Sequence, residues 1–543
     1  MPSIVPPHEP TPALDNSESV TTAFSNTPPE KQTKLASWID CGPSFWTALL
    51  LVTFLKTLAG CNLGLIFDEC TYWNWSLHPQ ACYYDHPPLT AWLIDSGHAL
   101  FGHTTLAVRF WALVSGVLLA LAGRLLAKDM FGEAAGNRAG IFLLLAPIFA
   151  GNSLLMTPDT YLAPAWAFAL FFAWKGSCHK ASIIWWLAAG AAIGVGMLSK
   201  YTMVLFYPSL ALFWLISPGK RARIALGSSM AAIVSFILFF PVFWWNRLHN
   251  WISFERQFNH GFQNEHHSLI NFQNLSDYTA FLIVLVSPLL GLSCFRSAAT
   301  RLSDERYRYL ALFFWCVVLF FGLSAAKAHI EANWPMAAFI TGLIMVAGDW
   351  ERYCSIWRKS TIALLLIVDI AALGAAAWLS LPKYCPLAVT NLSFNPSFIK
   401  GFPGSEKVSD ATRQGFADFQ SRVEEFLGPA EVADAVTREF RNSNADFLCL
   451  STIQLTGVLS FYSPELEPLL WLPDHGRVRL PWINDYSWAG KNALIVEWPR
   501  PGPYYGGLFS SLTPKPKIEV PQIRSPILIS FGHSYDPTKV QNR

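Results

Sequence analysis

Charge is scarce in this sequence. Only 14% of its 543 residues are Asp, Glu, Lys or Arg, where an ordinary soluble domain carries about 25%. Neither sign prevails. The 39 basic and 37 acidic residues leave a formal charge of +2, which excludes the basic surface a nucleic-acid binder needs. The ten cysteines form no CxxC pair and no Cys/His zinc spacing. No internal repeat is visible. From Met1 to about Lys34 there is neither the basic start nor the apolar core of a signal peptide. That stretch, rich in Pro, Ser, Thr and Asn, reads as a disordered cytoplasmic tail.

Apolar residues fill the chain instead, at 52% of the total. They gather in runs near the ~20 residues that cross a bilayer: Ser44–Phe67, Thr105–Leu126, Ala139–Leu155, Tyr161–Trp174, Ser182–Leu198, Met203–Ile216, Ile224–Trp245, Tyr278–Phe295, Leu310–Ala325, Trp334–Ala347 and Thr361–Leu381. These runs predict an α-helical polytopic membrane protein with about eleven transmembrane helices. Lys and Arg stay cytoplasmic in short loops. With the amino end inside, the inner loops hold Arg124, Lys128, Arg138, Lys175, Lys180, Lys220, Arg221, Arg223, Arg296, Arg301, Arg306, Arg308, Arg352, Arg358 and Lys359. The outer loops hold Lys200, Arg247, Arg256 and Lys327. Fifteen against four sets the orientation, and an odd number of spans puts the carboxyl end outside.

Three regions follow: residues 1–43 as the tail, 44–382 as the membrane domain, and 383–543 as a small α/β domain outside the membrane. In the last, "ADFLCLS" and "NALIVEW" read as buried strands and "ATRQGFADFQSRVEEFLG" as an amphipathic helix. Its final thirty or so residues are Pro-rich and read as irregular. Cys70 with Cys82, and Cys385 with Cys449, face an oxidising side as thiols or disulfides.

Every outer turn carries a polar motif, whereas the inner loops are short and generically basic. The first outer loop, "DECTYWNWSLHPQACYYDHPPL", holds three acids, two histidines and five Tyr or Trp rings. "MTPDT", "LSKYT", "FWWNRLHNWISFERQFNHGF" and "KAHIEANWP" follow at the other four. Taken singly each has a bland reading. Asp159 suits a helix N-cap, Lys200 a snorkelling anchor, and Trp73, Trp75, Tyr83 and Tyr84 an interfacial belt. Five on one face point to an active site at the outer membrane–water boundary.

These residues carry a resemblance. "DECTYWNWSLHPQACYYDHPPLTAWLI", "MTPDTYLAPAW", "GVGMLSKYTMVLFYPSL", "PVFWWNRLHNWISF" and "IEANWP" resemble the membrane glycosyltransferases that use polyprenyl-phosphate sugars. The ordered set is similar to the bacterial dolichyl-phosphate-mannose–protein mannosyltransferase-like branch, which includes the aminoarabinose and galacturonic acid transferases of lipid A and its core. It covers about Phe45 to Ala347, with a weaker echo in the carboxyl-terminal domain. The resemblance implies the GT-C type of fold in a bacterial inner membrane, with a surface helix at "LTAWLIDSGHALFG" and the active site on the periplasmic face. It implies a polyprenyl-phosphate-linked sugar as donor and a lipid or protein acceptor. Lipid A or lipopolysaccharide core is the preferred reading, and protein O-mannosylation the alternative.

On the same resemblance Asp68 matches the general base, with Glu69 orienting it or binding acceptor, and Asp159 matches a second acid of the pocket. The departing phosphate needs positive partners. Lys200 and His86 are placed there, with Arg247 and Lys327 as alternatives. Trp73, Tyr83 and Tyr84 offer flat faces to sugar, and Asp85, Tyr201, Glu331 and Asn333 complete the substrate-binding set. Direct displacement inverts the anomeric centre. No cofactor is required by the motifs. A divalent metal stays open, since Asp85, Glu69 and His86 could ligate one, although their spacing is no metal signature.

Two intramembrane charges stand out. Lys56 and Asp369 each lie about twelve residues below an outer helix end, roughly 18 Å, and suggest an ion pair. A lipid-linked sugar transporter would place polar groups at mid-membrane in repeated, broken helices, whereas the acids here lie in loops. The orientation makes a direct prediction: cysteine probes applied from outside label position 404 and fail at position 219, and the reverse pattern removes the outer active site.

Overall fold

The computed structural model describes residues 38–179, 183–262, 271–328, 330–379, 428–466, 469–471, 485–498, 507–520, 523 and 526–540. Its helices are α1 (Gly42–Asn62), α2 (Phe67–Ser76), α3 (Leu89–Phe101), α4 (Thr105–Phe131), α5 (Glu133–Leu145), α6 (Pro147–Asn152), α7 (Asp159–Cys178), α8 (Ile183–Ser199), α9 (Phe206–Leu215), α10 (Arg221–Leu248), α11 (Ile252–Phe262), α12 (Phe272–Val284), α13 (Pro288–Thr300), α14 (Glu305–Ala325), α15 (Met336–Asp349), α16 (Ser355–Leu379) and α17 (Ile453–Tyr462). The apolar runs fall on these helices. By length and composition α1, α4, Pro218–Leu248 and α14 each suffice to cross a membrane.

Two runs that read as continuous are broken, both at prolines, which lack the N–H a helix needs and obstruct the preceding turn. Ala139–Leu155 divides between α5 and α6 at Pro147. Tyr278–Phe295 divides between α12 and α13, which meet at 97°. Ser287, just before Pro288, takes φ 83° there.

Large apolar side chains point outward along the long helices: Leu50 and Phe54 on α1, Leu226 and Ile237 on α10, Ile367 and Ile370 on α16. Such faces are unfavourable in water and at home in hydrocarbon. Together with the hydropathy of the spans they mark a membrane protein. Inside the bundle, helices approach through small residues, as close packing in lipid requires. A Cβ on Gly190 of α8 would stand 2.6 Å from the Ala231 carbonyl of α10, and one on Gly227 of α10 only 2.1 Å from the Trp186 ring.

The carboxyl-terminal region forms a mixed sheet of β1 (Phe447–Leu450), β2 (Leu469–Trp471), β3 (Ala493–Glu497), β4 (Phe509–Pro514) and β5 (Leu528–Tyr535), in the order β2-β1-β3-β5-β4. β1 and β3, the segments read as strands, pair in parallel with Leu448 opposite Leu494. Residues 411–427 of the amphipathic helix expected over 411–428, Cys385 and position 404 lie outside the described residues. A helical stretch over 428–441 follows them. All described cysteines are free thiols, so Cys70 and Cys82 are not joined.

This sheet does not stand apart. Leu65, Trp73, Ala91 and Val108, from α2 to α4 and the turn before, share one buried core with Val436, Leu448, Val458 and Leu494. α17 lies directly on α2, where a Cβ at Gly457 would come within 2.5 Å of the Cys70 backbone. Asn74 donates to Ser460 (2.8 Å), and the Leu65 N–H to the Tyr462 hydroxyl (2.8 Å).

Arg109 of α4 is wholly buried and spends every donor. Its Nε and Nη2 hold Glu69 at 2.9 and 2.5 Å, while Nη1 and Nη2 reach the carbonyls of Gly60, Leu63 and Gly64. Glu69 also accepts from the Ile66 and Met156 N–H groups (3.2 and 3.0 Å). The pair thus fastens the end of α1, the start of α2 and the turn leading to α7. Another buried cation, Lys56, makes its hydrogen bonds to groups other than the acid expected to pair with it. Lys56 donates to Ser153 (2.7 Å) and the Leu144 carbonyl (3.4 Å); Asp369 interacts with it electrostatically without a hydrogen bond, and the buried Oδ2 of Asp369 has no hydrogen-bond partner among the described residues. Removing one partner of a buried pair leaves an uncompensated charge worth about 3–5 kcal/mol. Arg109→Ala is therefore expected to lose that much stability, seen as a large fall in melting temperature in detergent, and Arg109→Ala with Glu69→Gln to regain part of it.

Candidate active site

Each outer-turn motif meets the others at one cavity of about 900 Å3. Asp68 enters from the first turn of α2, where unpaired backbone N–H groups favour a carboxylate. Asp85 and His86 come from the loop before α3, Asp159 from the start of α7, and Lys200 and Tyr201 from the α8–α9 turn. Arg256 and His260 come from α11, and Glu331 and Asn333 from the turn before α15.

Lys200 and Asp159 form the strongest contact in the wall. The ammonium holds both carboxylate oxygens at 2.8 Å, and Asn333 donates to Oδ2 at 2.6 Å. Asp159 is therefore neither an N-cap nor free, and Lys200 is a buried ion-pair partner rather than a snorkelling anchor. Arg256 donates to Asp85 at 3.0 Å and lies over the Tyr84 ring. Tyr201 is within 2.8 Å of the Ser253 hydroxyl and 3.2 Å of the Cys82 thiol.

Two neutral groups report the local field. Burial raises the Tyr72 phenol well above its usual range, and the carboxylates of Asp68, Asp85 and Asp159 add to it. Burial also lowers His86 to about 3, with Lys200, His260 and Arg256 reinforcing the shift. Acids thus crowd around Tyr72 and cations around His86. Of the two roles open to His86 at the phosphate, cation or hydrogen-bond donor, only the second fits: at neutral pH it is an uncharged imidazole, and its buried Nδ1 has no hydrogen-bond partner among the described residues.

Other expectations move too. Glu69 and Trp73 face away from the cavity. Glu69 is bound to Arg109, and Trp73 is packed on His98, His103 and Phe461. Tyr83 stacks on Trp75 with centroids 4.6 Å apart and donates to the Trp75 carbonyl, so it supports the wall without lining it. Tyr72 and Trp75 line it instead. Their spacing from Asp68, four and seven residues, is one helical face, while Glu69 and Trp73 share the opposite one. Reading "DECTYWNWS" as a helix would have separated the two sets. Arg247 and Lys327 are exposed outside the cavity, and Arg256 with His260, one turn apart on α11, take their place. Gln454 and Ile453 of α17 also line it; they fall within the weaker carboxyl-terminal echo, which assigned them no role. Among the described residues no three His, Cys, Asp or Glu side chains are grouped to hold a metal. The suggested trio disperses, because Glu69 is tied to Arg109 and Asp85 to Arg256.

The chain is similar to several known proteins. Residues 85–245 match the dolichyl-phosphate-mannose-protein mannosyltransferase family model. Lipid A galacturonosyltransferase RgtD of Rhizobium johnstonii is 29% identical over 317 residues, 56% of this chain and 64% of that protein. Undecaprenyl phosphate-alpha-4-amino-4-deoxy-L-arabinose arabinosyl transferase 2 of Proteus mirabilis is 26% identical over 307 residues, 52% of each. The chain thus spans between half and two thirds of these relatives' lengths. The crystal structure of ArnT from Cupriavidus metallidurans bound to undecaprenyl phosphate shares the fold, with a TM-score of 0.59 at 18% identity over 90% of this chain and 98% of that one. In sequence the chain is similar to lipid A galacturonosyltransferase and aminoarabinose transferases, and in fold to ArnT.

Proposed function

We propose that the chain transfers a sugar from a polyprenyl-phosphate donor to lipid A or its core on the periplasmic face of the inner membrane. The observation that carries this is the single cavity in which Asp68 faces the Lys200–Asp159 pair, with Arg256 and His260 beside it. In this reading all eleven apolar segments cross or enter the bilayer, the shorter and bent ones behind the long spans, and the sheet of residues 447–535 lies outside it. The relatives' names favour a lipid acceptor over a protein one.

Asp68 takes the proton of the acceptor hydroxyl as that oxygen attacks the anomeric carbon, a role carboxylates fill well. The bond from that carbon to the phosphate oxygen breaks, and the lipid phosphate leaves with its charge. Lys200 and Arg256 face that charge in a site partly shielded from water, where preorganised cations are most effective. Asp159 and Asn333 hold Lys200 in place beforehand. Tyr72, kept protonated, donates a hydrogen bond, and Trp75 and Trp334 present apolar faces to sugar. Attack opposite the leaving phosphate inverts the anomeric centre.

The overall test is mass spectrometry of lipid A from cells with and without the gene: loss of one glycosyl unit is expected, and an unchanged lipid A profile overturns the reading. Within the site, Asp68→Asn is expected to keep fold and expression and to lower transfer at least ~100-fold; near-normal turnover removes Asp68 from the mechanism. Lys200→Gln is expected to weaken binding of undecaprenyl phosphate and slow its departure, together by about 2–4 kcal/mol. It also strands the Asp159 carboxylate, so melting temperature falls. Adding Asp159→Asn restores the melting temperature but not the binding. Recovery of both would make the pair purely structural.

A further inference from the structure

Gln454 belongs to the carboxyl-terminal region, yet its side chain lines the cavity that Asp68 also lines. The register of two helices explains how. Ser460 bonds Asn74, a separation of 386 residues, and Gly457 packs on the backbone at Cys70 and Thr71. α17 and α2 thus run in parallel, and the same offset carried back one turn sets Gln454 level with Asp68. Contact this close is possible because position 457 has no side chain; a Cβ there would meet the Thr71 nitrogen at 2.6 Å. Outside that register, the Tyr462 side chain reaches back to the turn before α2 and accepts from the Leu65 N–H, and the Phe461 carbonyl lies 2.7 Å from His103 Nε2. These bonds and the shared core leave Gln454 little freedom to shift relative to Asp68.

The cavity therefore has two chemically distinct walls. One, from α8, α9 and α11, carries Lys200, Arg256 and His260 and suits the anionic donor. The other, from α2 and α17, carries Asp68 and Gln454 and no cation. A carboxamide is uncharged and both donates and accepts hydrogen bonds, which matches a sugar hydroxyl rather than a phosphodiester. Resting on the glycosyltransferase reading above, we propose that Gln454 is an acceptor-specificity residue: it binds the hydroxyl-bearing sugar of lipid A beside Asp68, so that the carboxyl-terminal region presents the acceptor to the base.

The test uses full-length protein in nanodiscs, with purified lipid A and undecaprenyl phosphate as separate probes. Gln454→Ala and Gln454→Leu are expected to weaken lipid A binding about five- to tenfold and to leave undecaprenyl phosphate binding within twofold. Gln454→Asn recovers part of the loss. Because Gln454 is exposed in the cavity, the melting temperature stays at the wild-type value. A variant that binds lipid A like the wild type, or loses undecaprenyl phosphate instead, overturns the assignment while the glycosyltransferase reading stands. Wild-type protein that binds neither probe overturns both, and wild-type protein that binds only undecaprenyl phosphate overturns the lipid A acceptor alone.

Discussion

A guanidinium buried without water is costly unless each of its five donors is met. Arg109 meets all five, two with Glu69 and three with carbonyls at and just beyond the end of α1. Those carbonyls belong to the group that any helix end leaves without intrahelical partners. Glu69 answers with its own four contacts, one of them to Met156, three residues before Asp159. Both acids that matter to the proposed chemistry hang from this arrangement. Asp68 is Glu69's neighbour on the far face of α2, and Asp159 opens the helix that the Met156 turn leads into. The most acidic dipeptide in the first loop is therefore divided: one carboxylate is bound to Arg109 and the other lines the cavity.

The membrane character and the gathering of the site were legible in the sequence because they rest on long-range statistics of composition. Apolar length marks the spans, and the one-sided placement of "MTPDT", "LSKYT" and "IEANWP" anticipates a common cavity. Face assignment within the first loop was not legible while "DECTYWNWS" was treated as a loop, since alternation between faces has meaning only on a helix. That is why Trp73 was expected in the cavity and Tyr72 and Trp75 were not; Tyr83 lies in the loop after this helix, and its stacking on Trp75 is a tertiary contact. The charge state of His86 was also beyond composition. It depends on burial and on Lys200, His260 and Arg256, three residues brought near by separate elements. Breaks at Pro147 and Pro288 were readable in principle, because a proline inside an apolar run is a local signal.

The pairing of Lys200 with Asp159 bears on how the donor is received. A lone buried lysine would be expensive to keep charged. Held by two carboxylate oxygens and stiffened through Asn333, Lys200 is oriented before any ligand arrives, and an entering phosphate would meet a partner that needs little reorganisation. The cost is that the phosphate must share that cation with a carboxylate. Arg256, more exposed and joined to Asp85 by one bond, is the freer of the two cations to swing towards the ligand.

The common core between α2–α4 and the carboxyl-terminal sheet has a consequence for biogenesis. Residues near position 70 find their packing partners near position 457, almost four hundred residues later. Contacts this distant in sequence form late, after the loop-closure entropy has been met. During synthesis, which proceeds at about 5–20 residues per second, the acid-bearing helix waits tens of seconds with one apolar flank uncovered. The cavity is completed only when α17 docks, so a chain terminated before that helix lacks the part of the wall that Ile453 and Gln454 supply.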